Sequence, residues 1–262
     1  MAVAPRRARL LVEERRRRIL ALLAEQGRVT VNELANRFGV SAVTIRGDLD
    51  VMADAGQLVR AHGGGVPRLD HDIPITIKET LHRPEKQRIG RAAAKHVREG
   101  DTIILDSGTT TAEIAGCLKS RVPGRFTVIT NALNIAAELG QHPRIRVVVV
   151  GGLLRQTSQS LVGPQAEQTL AGLRADKLFL GVDGFDPDVG LTTPEPLEAQ
   201  LNARMIEIAR EVIVVADASK FGRRAMSVIG TLDAIHRVIT NRGADPRMLR
   251  TLRARGIAVE VV

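Results

Sequence analysis

Six consecutive residues, Asp106-Ser107-Gly108-Thr109-Thr110-Thr111, sit between a β-branched run and a helical segment. A glycine among small hydroxyl residues at a strand-to-helix turn lets backbone N–H groups and three hydroxyls converge at the positively polarised start of a helix, which is anion-binding chemistry. Neither G-x-x-x-x-G-K nor G-x-G-x-x-G occurs, so one terminal phosphate is expected rather than a nucleotide's phosphate chain. Ordinary helix capping by Ser and Thr is the competing reading. Polar residues end the other β-branched runs too: Thr130-Asn131, Gly151-Gly152, Asp183-Gly184, Asp217 and Asn241. Such a series suits a polyhydroxylated ligand, whose hydroxyls must replace the hydrogen bonds they gave water. Lys220 is one of six lysines beside 32 arginines, and a compact ammonium suits phosphate, with a solvated surface position as the alternative. Asp183, Glu198 and Lys220 are also acid–base types, which keeps open a sugar-phosphate isomerase-like enzyme with an accessory domain.

These residues need a scaffold that brings strand ends together. The runs 102–105, 126–129, 147–150, 178–182, 212–216, 238–240 and 257–262 are continuously apolar and alternate with helical segments, which predicts a largely parallel sheet covered on both faces. In such sheets ligands bind outside the carboxyl ends of the strands. A helical pattern over 75–98 is interrupted at Pro84, and a helix over 112–118 follows the hydroxyl loop.

The first quarter of the chain has a different rhythm. Ile19, Leu22 and Leu23 stripe a helix over 13–26 that Gly27 ends; its Arg15–Arg18 run reads either as a solvated face or as phosphate contacts. A stretch over 28–31 leads to a second helix over 32–38, Gly39 makes a tight turn, and Ser41 caps a third helix with Ile45, Leu49 and Met52 inward. This is a helix-turn-helix, whose second helix enters the major groove of duplex DNA. Ala42 and Val43 can meet a thymine methyl, Arg46 a guanine edge or a phosphate, and Thr44 with the helix start a phosphate oxygen; Gly47 and Asp50 also face outward. The stretch 57–62 followed by Gly63-Gly64-Gly65 reads as a β-hairpin wing carrying Arg60 and His62 to the DNA backbone. A small interaction module without DNA is the alternative.

Composition favours the DNA reading. The 262 residues carry 38 Lys+Arg and 29 Asp+Glu, net +9, and residues 1–69 hold 12 arginines against 7 acids, so +5 of the charge sits on about a quarter of the chain. Five Phe and neither Trp nor Tyr cannot build the stacking platform of a single-strand binder. A lone Cys117 excludes an internal disulfide, and six His without metal-ligand spacing give no expectation of a metal or cofactor. With no long apolar run and no signal-like start, the expectation is a soluble cytoplasmic protein without membrane contact.

Val40-Ser41-Ala42-Val43-Thr44-Ile45-Arg46-Gly47-Asp48-Leu49 and Leu58-Val59-Arg60-Ala61-His62-Gly63-Gly64 resemble the signature of the DeoR family of bacterial transcriptional regulators, V-S-x-x-T-I-R-R-D-L then L-x-R-x-H-G-G. The second Arg of that signature is Gly47 here. The resemblance continues through 105–111, 151–155, 181–184, 190–194 and 216–222. It implies a winged helix-turn-helix domain followed by an α/β sensor domain similar to ribose-5-phosphate isomerase and the coenzyme A transferases, binding a phosphorylated sugar. By position, Ser107–Thr111 would be the phosphate loop, and Asp106, Asn131, Asp183, Glu198 and Lys220 would face the sugar. Where much of the family has Lys, this chain has Asn202; its E-A-x-L-N pattern resembles the branch that represses N-acetylgalactosamine and related amino-sugar operons. The expected organisation is a tail over 1–12, a DNA-binding domain over 13–67, a linker over 68–76 and a sensor over 77–262. The expected activity is repression of a carbohydrate operon, released by the sugar phosphate, by a homo-oligomer, dimer or tetramer, on double-stranded operator DNA.

Overall fold

The computed structural model describes residues 11–66, 72–121 and 123–262. The chain divides into two compact units, Met1–Ile73 and Pro74–Val262. Residues 1–10 of the expected tail, residue 67 at the end of the expected DNA-binding domain and residues 68–71 of the expected linker lie outside the described residues.

In the first unit α1 (Val12–Gln26) stops at Gly27, whose φ of 73° only glycine adopts cheaply. After β1 (Val29–Thr30), Thr30 and Glu33 form a reciprocal capping box at the start of α2 (Val31–Phe38). Gly39 then turns the chain, and the Ser41 hydroxyl accepts the Thr44 N–H at 3.1 Å to open α3 (Ala42–Asp54). The hairpin β2 (Val59–Ala61) and β3 (Gly64–Val66) lies antiparallel, with β3 between β2 and β1. A Cβ at Gly64 would stand 1.9 Å from the Val29 carbonyl oxygen, so the wing can close on β1 only with glycine there.

Ile19, Leu23, Leu34, Ile45, Leu49, Met52 and Leu58 fill the core of this unit. Two polar side chains, Asp48 and Arg15, are buried with them. Asp48 is buried, taking Arg15 Nε on one oxygen at 2.6 Å and Arg16 Nε on the other at 3.1 Å. Neither reading of the arginine run therefore holds for Arg15 or Arg16: Arg15 lies four residues before Ile19, on the apolar stripe itself, and is 5% exposed. Arg18 bonds Glu14 at the surface.

The second unit opens with α4 (Ile75–Lys78) and α5 (Arg83–Ala94), then runs β4 (Thr102–Leu105), α6 (Thr109–Ser120), β5 (Phe126–Thr130), α7 (Leu133–Leu139) and β6 (Ile145–Val149). A hairpin of β7 (Leu153–Arg155) and β8 (Ser160–Val162) precedes α8 (Pro164–Ala171) and β9 (Ala175–Leu180). There follow β10 (Gly184–Asp186), β11 (Gly190–Thr193), α9 (Pro196–Ile208), β12 (Ala209–Val215), β13 (Ser227–Gly230), β14 (Arg237–Thr240), α10 (Pro246–Ala254) and β15 (Ala258–Val261). Seven strands form one sheet in the order β15-β14-β12-β9-β4-β5-β6, every pair parallel.

Both faces are covered. Ile103, Leu105, Ile213 and Val215 pack with Ile89 and Ala93 of α5 and Ile114 and Leu118 of α6. Ile104, Val212 and Val214 pack oppositely with Leu170 of α8, Leu201 and Met205 of α9 and Leu252 of α10. Burial on both sides is why these strands are continuously apolar. Two details depart from the sequence reading. The helical pattern over 75–98 is two helices parted at His82, which sits at φ 51°, and α6 begins at Thr109 instead of Ala112. Among the described residues no helix is long and apolar enough to cross a membrane.

Removing one partner of a buried ion pair leaves the other uncompensated, at about 3–5 kcal/mol. Asp48→Ala should destabilise the first unit by that amount, read from urea unfolding of the full chain with amide exchange of α1 and α3 as probe; a loss below about 1 kcal/mol would show that the pair does not hold these helices together.

Candidate functional site

The strand order reverses between β4 and β9, and a crevice outside their carboxyl ends is where an open α/β sheet accepts ligands. Asp106, 3% exposed, spans it: one oxygen accepts the Gly108 N–H at 3.1 Å and the other the Gly181 N–H at 3.0 Å. Burial pushes its pKa up to about 7 against these amides and Thr111, with Glu198 adding to the rise. Asp106 is thus occupied in bracing two loops. Gly108 and Gly181 approach closely, a Cβ on Gly108 falling 3.6 Å from the Gly181 Cα.

The hydroxyl loop is only partly available. Thr111 is wholly buried, and its hydroxyl donates to the Asp106 and Gly108 carbonyls at 3.0 and 2.7 Å, so it does not join an anion site as expected. That hydroxyl is the internal tie of the turn. The Ser107, Thr109 and Thr110 hydroxyls make no hydrogen bond among the described residues, and the first α6 amide to reach a carbonyl is that of Ala112, on Gly108 at 3.0 Å. The preceding amides are left as donors toward the loop. On its α7 side, Thr109 lines a cavity of about 570 Å³ with Glu79, Glu113 and Glu138 against one cation, Arg83. Three carboxylates repel phosphate there.

Cations gather at Asp183, after β9. Its Oδ1 meets Lys78 Nζ at 2.9 Å and Lys220 Nζ at 3.5 Å, and its Oδ2 accepts the Thr193 hydroxyl at 3.3 Å. Burial alone would raise its pKa, but the two ammonium groups and these hydrogen bonds hold it well below the usual carboxylate range. Lys86, 4% exposed on α5, donates to the Lys78 carbonyl. Burial, with the like charges of Lys220 and Lys78, lowers its pKa to about 8 although Asp217 and Asp183 oppose the shift. Asp217, at the end of β12, accepts the Ser219 N–H on Oδ1, and its buried Oδ2 has no partner among the described residues. Burial opposes its ionisation, yet Lys220, Ser219 and His82 keep its pKa below the ordinary value. Lys78, Lys86 and Lys220 thus gather around Asp183 and Asp217.

Lys78 and Lys86 escaped the sequence reading, although a signal existed: half of the chain's six lysines meet here, in a protein that otherwise uses arginine.

Glu198, expected to face a sugar, is already matched. Arg155 Nη1, the Ser158 hydroxyl and the Ser160 hydroxyl reach its Oε1 at 2.5, 2.6 and 2.9 Å, and Arg155 also holds Glu195 at 3.3 Å. Its second oxygen takes the Thr193 hydroxyl at 3.5 Å, which links the Glu198 cluster to Asp183. Asn202, one turn along the same face of α9, is 6% exposed and makes no side-chain hydrogen bond among the described residues. Asn131, at the end of β5, donates to the Leu161 carbonyl while its buried Oδ1 is unpartnered. Two orphaned acceptors, on Asn131 and Asp217, are what a ligand with hydroxyl or N–H donors would satisfy.

In the first unit α3 presents its amino-terminal half to solvent. Val43 is 74% exposed, Arg46 and Gly47 are exposed, Ala42 and Thr44 are half-buried, and the Ser41 and Thr44 hydroxyls bond each other at 2.9 Å. Arg60 is tied by Nε to Asp50 at 2.9 Å and by Nη1 to the Gly64 carbonyl at 2.8 Å, so the wing is braced against α3, while His62 lies exposed at the hairpin tip. A Cβ at Gly47 would meet nothing within 4 Å.

Residues 15–67 match the DeoR-like helix-turn-helix domain, and residues 81–242 match the DeoR C-terminal sensor domain. An Escherichia coli O157:H7 protein named for transcriptional repression of the aga operon is 39% identical over 95% of this chain and 93% of its own. The transcriptional repressor AccR of Agrobacterium fabrum is 36% identical over 88% and 90%, and the glycerol-3-phosphate regulon repressor of E. coli K12 is 31% identical over 95% and 98%. Ribose 5-phosphate isomerase A from Methanocaldococcus jannaschii aligns with 52% of this chain and 53% of its own at 20% identity and a TM-score of 0.38, a distant likeness beside relatives that are regulators over nearly their whole length. With both of its domains matched and a named regulator 39% identical over nearly its whole length, the chain belongs to the DeoR family.

Proposed function

We propose that this DNA-binding transcriptional regulator represses a carbohydrate catabolic operon and is released by a phosphorylated sugar bound at the β4–β9 crevice. The observation that carries the effector part is the pairing of open donors in the Ser107–Thr110 loop with a neighbouring cluster of three lysines, Lys78, Lys86 and Lys220. Ser107, Gly108, Thr109 and Thr110 take the phosphate with Lys220. Asn131 and Asp183 take hydroxyls, Asn202 supplies an amide, and Asp106, Thr111 and Glu198 shape the site from behind. The relative named for aga repression and the neutral Asn202 favour an amino-sugar phosphate. The working segments are a tail over 1–12, a DNA-reading domain over 13–67, a linker over 68–76 and a sensor over 77–262. On DNA, Ala42, Val43 and Arg46 read base edges, while Ser41, Thr44, Arg60 and His62 contact the backbone and Gly47 leaves a gap. Helix-turn-helix proteins read half-sites in pairs, so the working form is a homodimer or tetramer, with the chromosome in the cytoplasm.

The deciding experiment is binding to duplex from the promoter upstream of its own operon, at stated salt, with and without glycerol 3-phosphate, galactosamine 6-phosphate, N-acetylgalactosamine 6-phosphate and ribose 5-phosphate. Binding no tighter than to competitor DNA overturns the operator reading; release by none of the four overturns the effector reading.

Arg46→Ala should weaken operator binding by about 1–3 kcal/mol while the fold persists; titration against operator and scrambled duplex checks it. Gly47→Arg has open space and should add a phosphate contact, steepening the salt dependence by about one unit of log–log slope. An unchanged slope would remove Gly47 from the interface.

Anion affinity should fall roughly threefold or more between pH 7 and pH 8.5 by calorimetry. Asp106, with its pKa raised to about 7, becomes an anion beside the loop as pH rises, and Lys86, lowered to about 8, loses its proton over the same window. Both changes act with one sign. A flat or rising profile would place the anion elsewhere.

A further inference from the structure

The amino ends of the parallel strands carry charge unevenly. On the side of β9, β12 and β14 cations are matched: Lys177 meets Asp101 at 2.6 Å, Arg237 meets Glu211 at 3.5 Å and Arg210 meets Asp176 at 3.7 Å. On the side of β4, β5 and β6 they are not. Arg125 and Arg144 directly precede β5 and β6, and the Phe126 N–H on the Arg144 carbonyl at 3.3 Å brings their backbones together. The Gly100 N–H on the Arg125 carbonyl at 2.7 Å sets the approach to β4 beside them, and Arg146 follows on β6, the edge strand. Because α5 leads into β4 and α6 into β5, the carboxyl ends of both helices lie here as well. The first brings Arg91, Lys95 and Arg98, the second Lys119 and Arg121. All eight cations are exposed, and none forms an ion pair among the described residues.

Opposing charge falls short of them. Glu99 lies beside Gly124, and Glu113 and Glu138 act on Cys117, while Glu113 also pairs with Arg83 at 3.7 Å. The carboxyl ends of α5 and α6 add about half a negative charge each, so the eight cations remain in excess by about four. Their spread indicates the ligand. Neighbouring strands stand about 4.8 Å apart, so cations carried by three strand ends and two helix ends cover far more surface than one phosphate or carboxylate can touch. Duplex DNA presents one negative charge about every 1.7 Å of its axis, and a row of phosphates meets many such side chains at once. Single strands gain no stacking platform here, since Phe126, the one aromatic residue at these strand ends, is 4% exposed. Arg91, Lys95 and Arg121 also rim a cavity of about 750 Å³ between α5 and α6, with Cys117 in its wall.

We propose that this face of the second unit is a second, sequence-independent contact for the phosphate backbone of duplex DNA. Its cations add affinity and salt dependence but read no bases. The contact is independent of the sugar-phosphate reading, because the crevice lies at the opposite, carboxyl ends of the strands. It belongs to the second unit alone and stands apart from the bases read by α3.

The test is the salt dependence of binding between the full chain and a duplex of about 60 base pairs and arbitrary sequence, followed by fluorescence anisotropy. Arg125→Gln/Arg144→Gln/Arg146→Gln should lose about two to three units of log–log slope, and Arg125→Lys/Arg144→Lys/Arg146→Lys should keep the wild-type slope. Arg247→Gln/Arg250→Gln/Arg253→Gln removes three exposed arginines from α10, alters net charge equally and should lose less than about one unit. The proposal is overturned if both Gln triples lose slope equally, which makes net charge alone responsible, or if the strand-end triple binds as wild type does. Should that triple fail to fold by circular dichroism, Lys119→Gln/Arg121→Gln takes its place, with an expected loss of about one to two units. Cys117, the single cysteine of the chain, gives a second readout: its alkylation by N-ethylmaleimide should slow with saturating duplex. An unchanged rate overturns the contact, and so does equal slowing by inorganic phosphate at the same ionic strength, which makes the face a small-anion site.

Discussion

At the carboxyl end of β4 a buried carboxylate holds one backbone amide on each oxygen, Gly108 from its own loop and Gly181 from a strand end 75 residues further on. The parallel sheet cannot supply this connection, because its ladder ends where the strands end. Without Asp106 the two loops at the reversal of strand order would be joined only by packing, and the hydroxyl loop, the start of α6 and the Asp183 cluster would have no common frame. The arrangement is costly, since burial opposes ionisation of the carboxylate. That cost buys a fixed position for donors that a ligand can use.

The DNA-reading unit solves a similar problem with Asp48. A purely apolar seam between α1 and α3 would tolerate sliding by a turn, whereas a carboxylate that must meet Arg15 and Arg16 at once admits a single register. The wing is set with comparable economy: Arg60 ties it to Asp50 on α3, and Gly64 lets it close onto β1. The exposed face of α3 is thereby fixed relative to the hairpin tip before any DNA arrives.

Much of this was legible in the residues. The seven apolar runs fall on the seven strands of the parallel sheet, because burial on both faces leaves no other composition available. Ser41, Gly39 and the stripe of Ile45, Leu49 and Met52 lie where capping, turn and packing require them. What escaped follows a pattern. Strands of three or four residues such as β7 and β11 are too short to show a period, and they carry Arg155 and Thr193 to Glu198. Thr111 is of the same residue type as Thr109 and Thr110, and only the course of the turn decides which hydroxyl is consumed internally. Arg15 was readable as an inward residue from its spacing to Ile19, but an arginine run draws attention to charge before phase.

The placement of β4 also bears on the order of assembly. Its neighbours are β5, next in the chain, and β9, which is made roughly 70 residues later, so half of the central pairing waits for a distant segment. During synthesis the helix-turn-helix unit emerges first and needs none of these contacts, whereas the crevice does not exist until Gly181 has reached Asp106. A truncated or slowly maturing chain would therefore carry a finished helix-turn-helix unit before its crevice was assembled.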